Sequence, residues 1–145
     1  MKLDVTQEVT KLDGLPMMID QEADTALDEA GNARILYLNG SPKMKGGKPL
    51  TLERIITDAL LSDLDEDKNK TSSSKIERAR LADRIYGAKL PVELKGEDAT
   101  LITDRVSKVW LGALVVYRLD CAITKAKALE AEVLEAEKKK NAPKE

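Results

Sequence analysis

Residues 101–123, LITDRVSKVWLGALVVYRLDCAI, and residues 124–140, TKAKALEAEVLEAEKKK, decide how this chain is read. Between Pro91 and Pro143 there is no other proline, and Gly96 and Gly112 are the only glycines. Proline removes a backbone donor and clashes with the turn before it, and glycine loosens a helix, so a stretch poor in both predicts helix. One long C-terminal helix is expected, opened by Glu97 and Asp98, whose carboxylates suit the positive end of the helix dipole. Its first half carries Val106, Val109, Trp110, Ala113, Leu114, Val116, Tyr117, Cys121 and Ile123, with Leu111, Val115 and Leu119 off that stripe. That is more apolar surface than one buried face requires. Two readings of it stand. It is a central helix covered by the other elements, or part of it is a partner groove or homo-oligomer seam anchored by Trp110 and Tyr117, which stand seven residues apart. The second half narrows to Ala122, Ala126, Leu129, Val133 and Ala136 at three- and four-residue spacing. Such a stripe suits docking on a partner helix and is too short and Ala-rich for a coiled coil of its own.

Upstream lie the elements expected to cover that helix. Thr51 is a good N-cap, with Glu53 in the first turn, and Leu52, Ile55, Ile56, Ala59, Leu60 and Leu64 form the clearest helical face in the chain. Residues 63–73 read as a polar loop. Ser74 with Glu77 reads as a capping box opening a second helix with Ile76, Ala79, Leu81, Ala82, Ile85 and Tyr86, ended by Gly87. Pro91 predicts an extended segment from Leu90 to Leu94. At the N-terminus, Leu3, Val5 and Gln7 alternate with Asp4 and Thr6, and Asp13-Gly14 is a hairpin-type turn. Met17-Met18-Ile19 would be the returning strand, with Pro16 placing it at an edge or strand start. Residues 20–31 allow a short surface helix from Asp20 to Gly31 or a mobile loop. Residues 34–38 read as a third strand stopped by Asn39-Gly40, and residues 41–49 as a Gly/Lys/Pro linker. The expected fold is α+β: a small N-terminal antiparallel β hairpin or meander, then three helices, the C-terminal one long and central. Residues 1–123 would form a single domain, with its β part at 1–40 and its helical part at 50–123; residues 124–145 would form a helical extension and charged tail.

Composition removes several kinds of chemistry. The 145 residues carry 24 basic and 26 acidic side chains, a formal charge of −2, so nothing pulls the chain as a whole toward nucleic acid or an anionic membrane. The excess acid sits in residues 1–44. No histidine is present, which takes away the side chain best suited to proton transfer near neutrality and the commonest transition-metal ligand. Phenylalanine is absent and Trp110 is the only tryptophan, which leaves no stacking platform. Cys121 alone excludes an internal disulfide and fits a reducing compartment. The alternating polar and apolar residues of 1–20 do not resemble a signal peptide, and Arg118 and Asp120 interrupt the richest apolar run, so a soluble, intracellular protein is expected.

The motif-like segments fail on their spacing. A calcium loop started at Asp65 would place Asp67, Asn69, Thr71 and Ser73 as ligands, but Lys70 stands where glycine is needed and Ile76 where the bidentate carboxylate belongs, with Glu77 one residue late. Gly46-Gly47-Lys48 sits between a strand and a helix, yet the first glycine of a phosphate loop is missing and Pro49 replaces the Ser or Thr. Cys121, with no histidine to activate it, reads as core. Arg78, Arg80, Arg84, Lys89, Lys95, Arg105 and Lys108 are interspersed with Glu77, Asp83, Glu97, Asp98 and Asp104, a pattern of solvated ion pairs and not of a phosphate-tracking stripe. Lys138, Lys139, Lys140 and Lys144 are diluted by Glu135, Glu137 and Glu145. No catalytic residue, cofactor or metal ligand is expected, and the partner-binding candidates are Trp110, Tyr117, Ala126, Leu129 and Val133.

Residues 49–119 carry a resemblance. Leu50-Thr51-Leu52, Ala59-Leu60-Leu61, Lys75-Ile76-Glu77-Arg78, Leu81-Ala82-Asp83-Arg84-Ile85-Tyr86, Val92-Glu93-Leu94, Glu97-Asp98, Ile102, Val106-Ser107-Lys108 and Leu114-Val115-Val116 resemble a pattern of small uncharacterised proteins of tailed phages and prophages. Leu12-Asp13-Gly14 is similar too, whereas residues 20–31 and 124–145 depart from the pattern. The resemblance implies a phage context, in the host cytoplasm or the virion, and a non-enzymatic protein acting through protein–protein contacts, as an assembly or accessory factor. The surface of the C-terminal helix points to another protein or a second copy as the partner, with no membrane, and the mixed charges weigh against nucleic acid. A host-directed inhibitor with an acidic N-terminal part, and a nucleic-acid-binding accessory protein, are the alternatives.

Overall fold

The computed structural model describes residues 1–143; the tail positions Lys144 and Glu145 lie outside them. In chain order the strands before the first helix are β1 (Lys2–Leu3), β2 (Met18–Ile19), β3 (Glu22–Ala23), β4 (Thr25–Leu27), β5 (Ala33–Ile35), β6 (Tyr37–Leu38), β7 (Ser41–Pro42), β8 (Met44–Lys45) and β9 (Lys48–Pro49). Then follow α1 (Leu52–Leu61), a 3₁₀ turn (Asp65–Asn69), α2 (Ser72–Ile85), β10 (Val92–Glu93), α3 (Gly96–Val109) and α4 (Ala113–Lys140). The fold is therefore α+β, with short antiparallel strands toward the N-terminus and a long C-terminal helix. Two compact units divide the chain: residues 1–9 with the chain from Thr51 onward, and residues 10–50.

The first unit is built on α1, which packs against both α2 and α3. The face expected from periodicity is the one buried, at Leu52, Ile55, Ile56, Ala59 and Leu60, while Leu64 is half-buried. The free amides of its first turn are all engaged. Leu52 donates to the Gln7 carbonyl at 3.0 Å, Glu53 to the Val5 carbonyl at 2.9 Å, and Arg54 to the Thr51 hydroxyl at 3.4 Å. The N-terminal chain thus serves as the cap of α1, and β1 pairs with β10, Leu3 opposite Val92. In α2 the N-cap is Thr71, whose hydroxyl accepts from the Ser74 amide, so the expected start at Ser74 lies one turn too late. The buried face of α2 is Arg78, Leu81, Ala82 and Ile85; Ile76, Ala79 and Tyr86 are exposed, because the face rotates to bring Arg78 inward.

The expected single C-terminal helix is two. Trp110 ends α3, its amide closing on the Val106 carbonyl at 2.8 Å, and Gly112 begins α4. Trp110 (φ −97, ψ 100) and Gly112 (φ −73, ψ 120) have left helical geometry. The reason is burial. A straight helix over residues 97–140 would run about 66 Å, twice the width of a small domain. The turn instead lets α4 pack on α3 and β1, which buries Val115, Leu119, Ala122, Ile123 and Ala126. Cys121, expected in the core, is exposed on the opposite side of that stripe.

Residues 10–50 form the second unit, and here neither the helix nor the loop expected at 20–31 nor the linker expected at 41–49 is found. The Asp13-Gly14 turn forms, with Gly14 at φ +84 and a bridge between Thr10 and Pro16, but β2 pairs with β9 and not with the first strand. β3 continues that ladder with β8. β4 and β5 then close a hairpin around residues 28–32, and β6 and β7 close a second around Asn39-Gly40. Asn39 (φ +51) and Gly40 (φ +79) both take the left-handed conformation of a type I′ turn, whose twist matches the flanking strands. The pair that reads as a strand stop is a reversal into another strand. The three ladders meet at Asp24, Leu36 and Lys43, one residue from each connection. The Asp24 amide donates to the Lys43 carbonyl (2.6 Å), Lys43 to Leu36 (2.8 Å) and Leu36 to Asp24 (2.8 Å), a closed triangle of backbone hydrogen bonds. The unit is a three-way junction of β-ribbons in a single layer. From Thr10 to Pro49 no residue is fully buried.

Candidate interaction surfaces

The most perturbed charge in the helical unit lies at the C-terminal end of α1. That end leaves carbonyls without helical partners, and two inward-facing guanidiniums reach them. Arg78 Nη1 donates to Leu60 O (3.0 Å) and Ser62 O (3.3 Å); Arg105 donates to Ala59 O (3.3 Å, from Nε) and, through Nη2, to Ser62 O. Asp67, turned inward by the 3₁₀ turn, balances them. Its Oδ1 accepts from Arg105 Nη1 at 2.9 Å, and its Oδ2 accepts from Arg105 Nη2 at 3.0 Å and the Leu64 amide at 2.8 Å, with Arg78 at 3.6 Å. The hydrogen bonds from Arg105 and from the Leu64 amide hold the Asp67 carboxyl at about 2, well below its ordinary value and against the opposing effect of burial. Both of its oxygens are occupied and it stays ionised, so the group ties α1, the loop, α2 and α3 together and is not poised to move a proton. Lys108 extends the network to Glu66 (3.0 Å) and Asp104 (3.1 Å) at the surface. Of the residues of the calcium-loop spacing, Asp67 is committed to this cluster, Asp65 pairs with Lys68 at the surface and Thr71 caps α2. Among the described residues no group of three His, Cys, Asp or Glu side chains is placed to hold a metal ion.

The five partner-binding candidates separate. Ala126, Leu129 and Val133 fall on one stripe of α4, as their spacing implied. Trp110 and Tyr117 do not join them or share a helix, because the turn at 110–112 intervenes. Trp110 is half-buried beside a shallow pocket of about 410 Å³ with Asp58, Leu61, Ser62 and Val109, and its indole Nε1 is buried without a hydrogen-bond partner. Tyr117 is exposed one turn before Cys121, and the hydrogen bond to that thiol pushes the Tyr117 hydroxyl above its usual range. The Arg118 guanidinium stands 5.9 Å from the Tyr117 ring centroid.

The α4 stripe borders a groove. Beyond Ala126, every residue of α4 through Lys140 is exposed, and Leu129, Val133 and Leu134 are about half-accessible. Together with Leu3 and Pro91 they line a groove of about 680 Å³ between the outer part of α4 and the β1–β10 edge. Lys2 and Lys125 stand on its rim against Asp4, Glu93, Glu130 and Glu137, so the rim is acidic on balance. The Met1 ammonium bridges its two walls, donating to Glu93 Oε1 (3.3 Å), Glu130 Oε1 (3.2 Å) and Leu94 O (2.9 Å). Burial works against its charge, but the bonds to Glu130 and Glu93 prevail and raise the amine above its usual value. Sequence reasoning missed Leu134 and the β1–β10 wall. It also missed Arg78 and Arg105 as core residues, although each sits at helical spacing among apolar neighbours, Arg78 with Leu81 and Ala82, Arg105 with Ile102 and Val106.

No helix among the described residues is long and apolar enough to cross a membrane. No protein-family model matches the chain, and no curated protein or solved structure is significantly similar to it.

Proposed function

We propose that this is a non-enzymatic, phage-type protein that works through protein–protein contacts, as a virion assembly or accessory factor in the bacterial cytoplasm or the particle. The observation that carries the reading is the outer part of α4. A helix solvated on all sides gains nothing from exposing Leu129, Val133 and Leu134 in a row beside an apolar groove, whereas a partner segment laid along them would bury that surface. The acidic rim favours a partner segment with basic flanks. The absence of histidine and the full occupation of the Asp67 carboxylate support a role without catalysis.

The test is a complementation experiment with L129K/V133K in the phage or prophage that carries the gene. Both positions are exposed, so the variant should melt like the wild type. An assembly factor predicts normal genome replication, a fall in particle yield and the accumulation of incomplete particles. Wild-type yield from the variant would refute the reading, as would a defect confined to replication.

A further inference from the structure

The register of the three ribbons sorts residues 22–45 into two faces. Ala23 stands opposite Met44, Thr25 opposite Ile35, Leu27 opposite Ala33, and Tyr37 opposite Pro42. Side chains alternate along extended chain and paired residues point the same way, so these four pairs share one face, six of the residues ringing the junction. None of them is charged. The ion pairs of the segment lie on the other face, where Asp24 meets Lys43 (3.6 Å) and Lys45 (3.7 Å), and Asp28 meets Arg34 (2.9 Å). The uncharged face is nevertheless open, with Leu27 75 %, Ile35 47 %, Tyr37 65 % and Met44 45 % exposed.

We propose that this face is a homodimer seam, on which two copies of the chain stack ribbon to ribbon across a two-fold axis. A two-stranded ribbon in a single layer is marginally stable in water and needs something packed on its apolar side. The face is complementary to itself. Set against its own copy, it buries no charge and brings no like charges together, because all the ion pairs point away from the seam. The eight side chains cover about 500–650 Å² per copy, or roughly 1,000–1,300 Å² in total, which reaches the lower end of stable specific interfaces. The α4 stripe lacks this property. Antiparallel pairing centred between Val133 and Leu134 would set Glu130 of one copy against Glu137 of the other, so that groove is left for a different partner.

The test is sedimentation of the full chain and of single substitutions. The wild type should sediment as a dimer, and Ile35→Lys and Ile35→Glu should each sediment as monomers. An equimolar mixture of the two variants should recover the dimer through opposite charges across the seam, which an unfolded ribbon would not do. Ala26→Glu, on the charged face, should remain dimeric. A wild-type monomer at high micromolar concentration overturns the proposal, as does a monomeric mixture of the two Ile35 variants or an Ala26→Glu variant that dissociates as they do. The α4 reading is independent of these outcomes, since L129K/V133K leaves the ribbon face intact and should sediment with the wild type.

Discussion

Replacing Arg105 by methionine, which keeps its length but not its charge, isolates the cluster at the end of α1. The substitution removes the bonds to the Ala59 and Ser62 carbonyls and both guanidinium bonds to Asp67, and it leaves that carboxylate with the Leu64 amide and the more distant Arg78. Breaking a buried pair from one side costs about 3–5 kcal/mol. For a unit of this size, with about 4 °C of melting temperature per kcal/mol, the fall should be about 12–20 °C near neutral pH. The pH dependence carries the sharper test. In the native protein the Asp67 carboxyl is held at about 2 against an ordinary 3.8, so its contribution is complete above 3.8 and is lost as pH falls from there through about 2. Without Arg105 the largest cause of that depression is gone and only the Leu64 amide and Arg78 remain, so the variant has less of this contribution to lose. The gap between wild type and variant should therefore be widest near neutrality and narrow toward about pH 2. Thermal unfolding followed by helical circular dichroism at the two ends of that range reads the effect. A loss below about 1 kcal/mol at neutral pH, or a gap that does not change with pH, would refute the assignment of Arg105 and Asp67 as the tie between the helices.

Three further outcomes are expected. Gly40→Val forces a β-branched residue into the left-handed region at φ +79, at a cost of about 1–2 kcal/mol to the hairpin; proteolytic cleavage within residues 36–43 should accelerate, and unchanged cleavage would count against the turn. Leu119→Ala, at a fully buried position on α4, should cost about 2.7–5 kcal/mol in urea unfolding, and a loss under about 1 kcal/mol would show that α4 is not docked there. Cys121 should react with a thiol reagent in the folded protein nearly as fast as in urea, where a core thiol would be protected.

The helical unit was legible wherever a local signal and a tertiary role coincide. Thr51 caps α1 and the periodic face from Leu52 to Leu60 is buried, because one element serves both demands. The break at 110–112 was not legible. Only Gly112 marks it, and what forces the turn is the burial of Val115 and Leu119, a long-range effect that reverses which side of the stripe faces inward. The same reversal puts Cys121 outside and separates Trp110 from Tyr117. In residues 10–50 the difference lies in turn chemistry: Asn39-Gly40 reads as a strand end, whereas its left-handed residues make a reversal, and Gly46-Gly47 reads as part of a linker, whereas the two join β8 to β9 along one side of a ribbon. Of the alanines of residues 20–31, spaced like a helix, Ala23 and Ala26 belong to strands, and the partner of Ala23 is Met44, 21 residues away. The three-way junction leaves no compositional trace at all, since only three residues depart from ladder pairing. Of the five candidate site residues, the three on the outer part of α4 share the groove, because a short helical stripe needs no tertiary information to be read.

Glu8 and Thr51 are bridged within the helical unit, so the chain leaves that unit and returns to it at neighbouring points. The β-ribbon segment is therefore an insertion at a closed gate and not a link in the helical fold's own connectivity. Shortening such an excursion from some forty residues to a tight turn changes closure entropy by only about 2 kcal/mol, so the helical unit is nearly indifferent to what it carries there. Lineages can then lengthen, exchange or discard the ribbons without redesigning the helices. The two-residue tip at Asn39-Gly40 and the five-residue tip at 28–32 are where such growth begins. Residues added there in matched pairs, one per strand, extend an arm and preserve its faces, whereas a single residue inserted near Asp24, Leu36 or Lys43 turns an arm inside out.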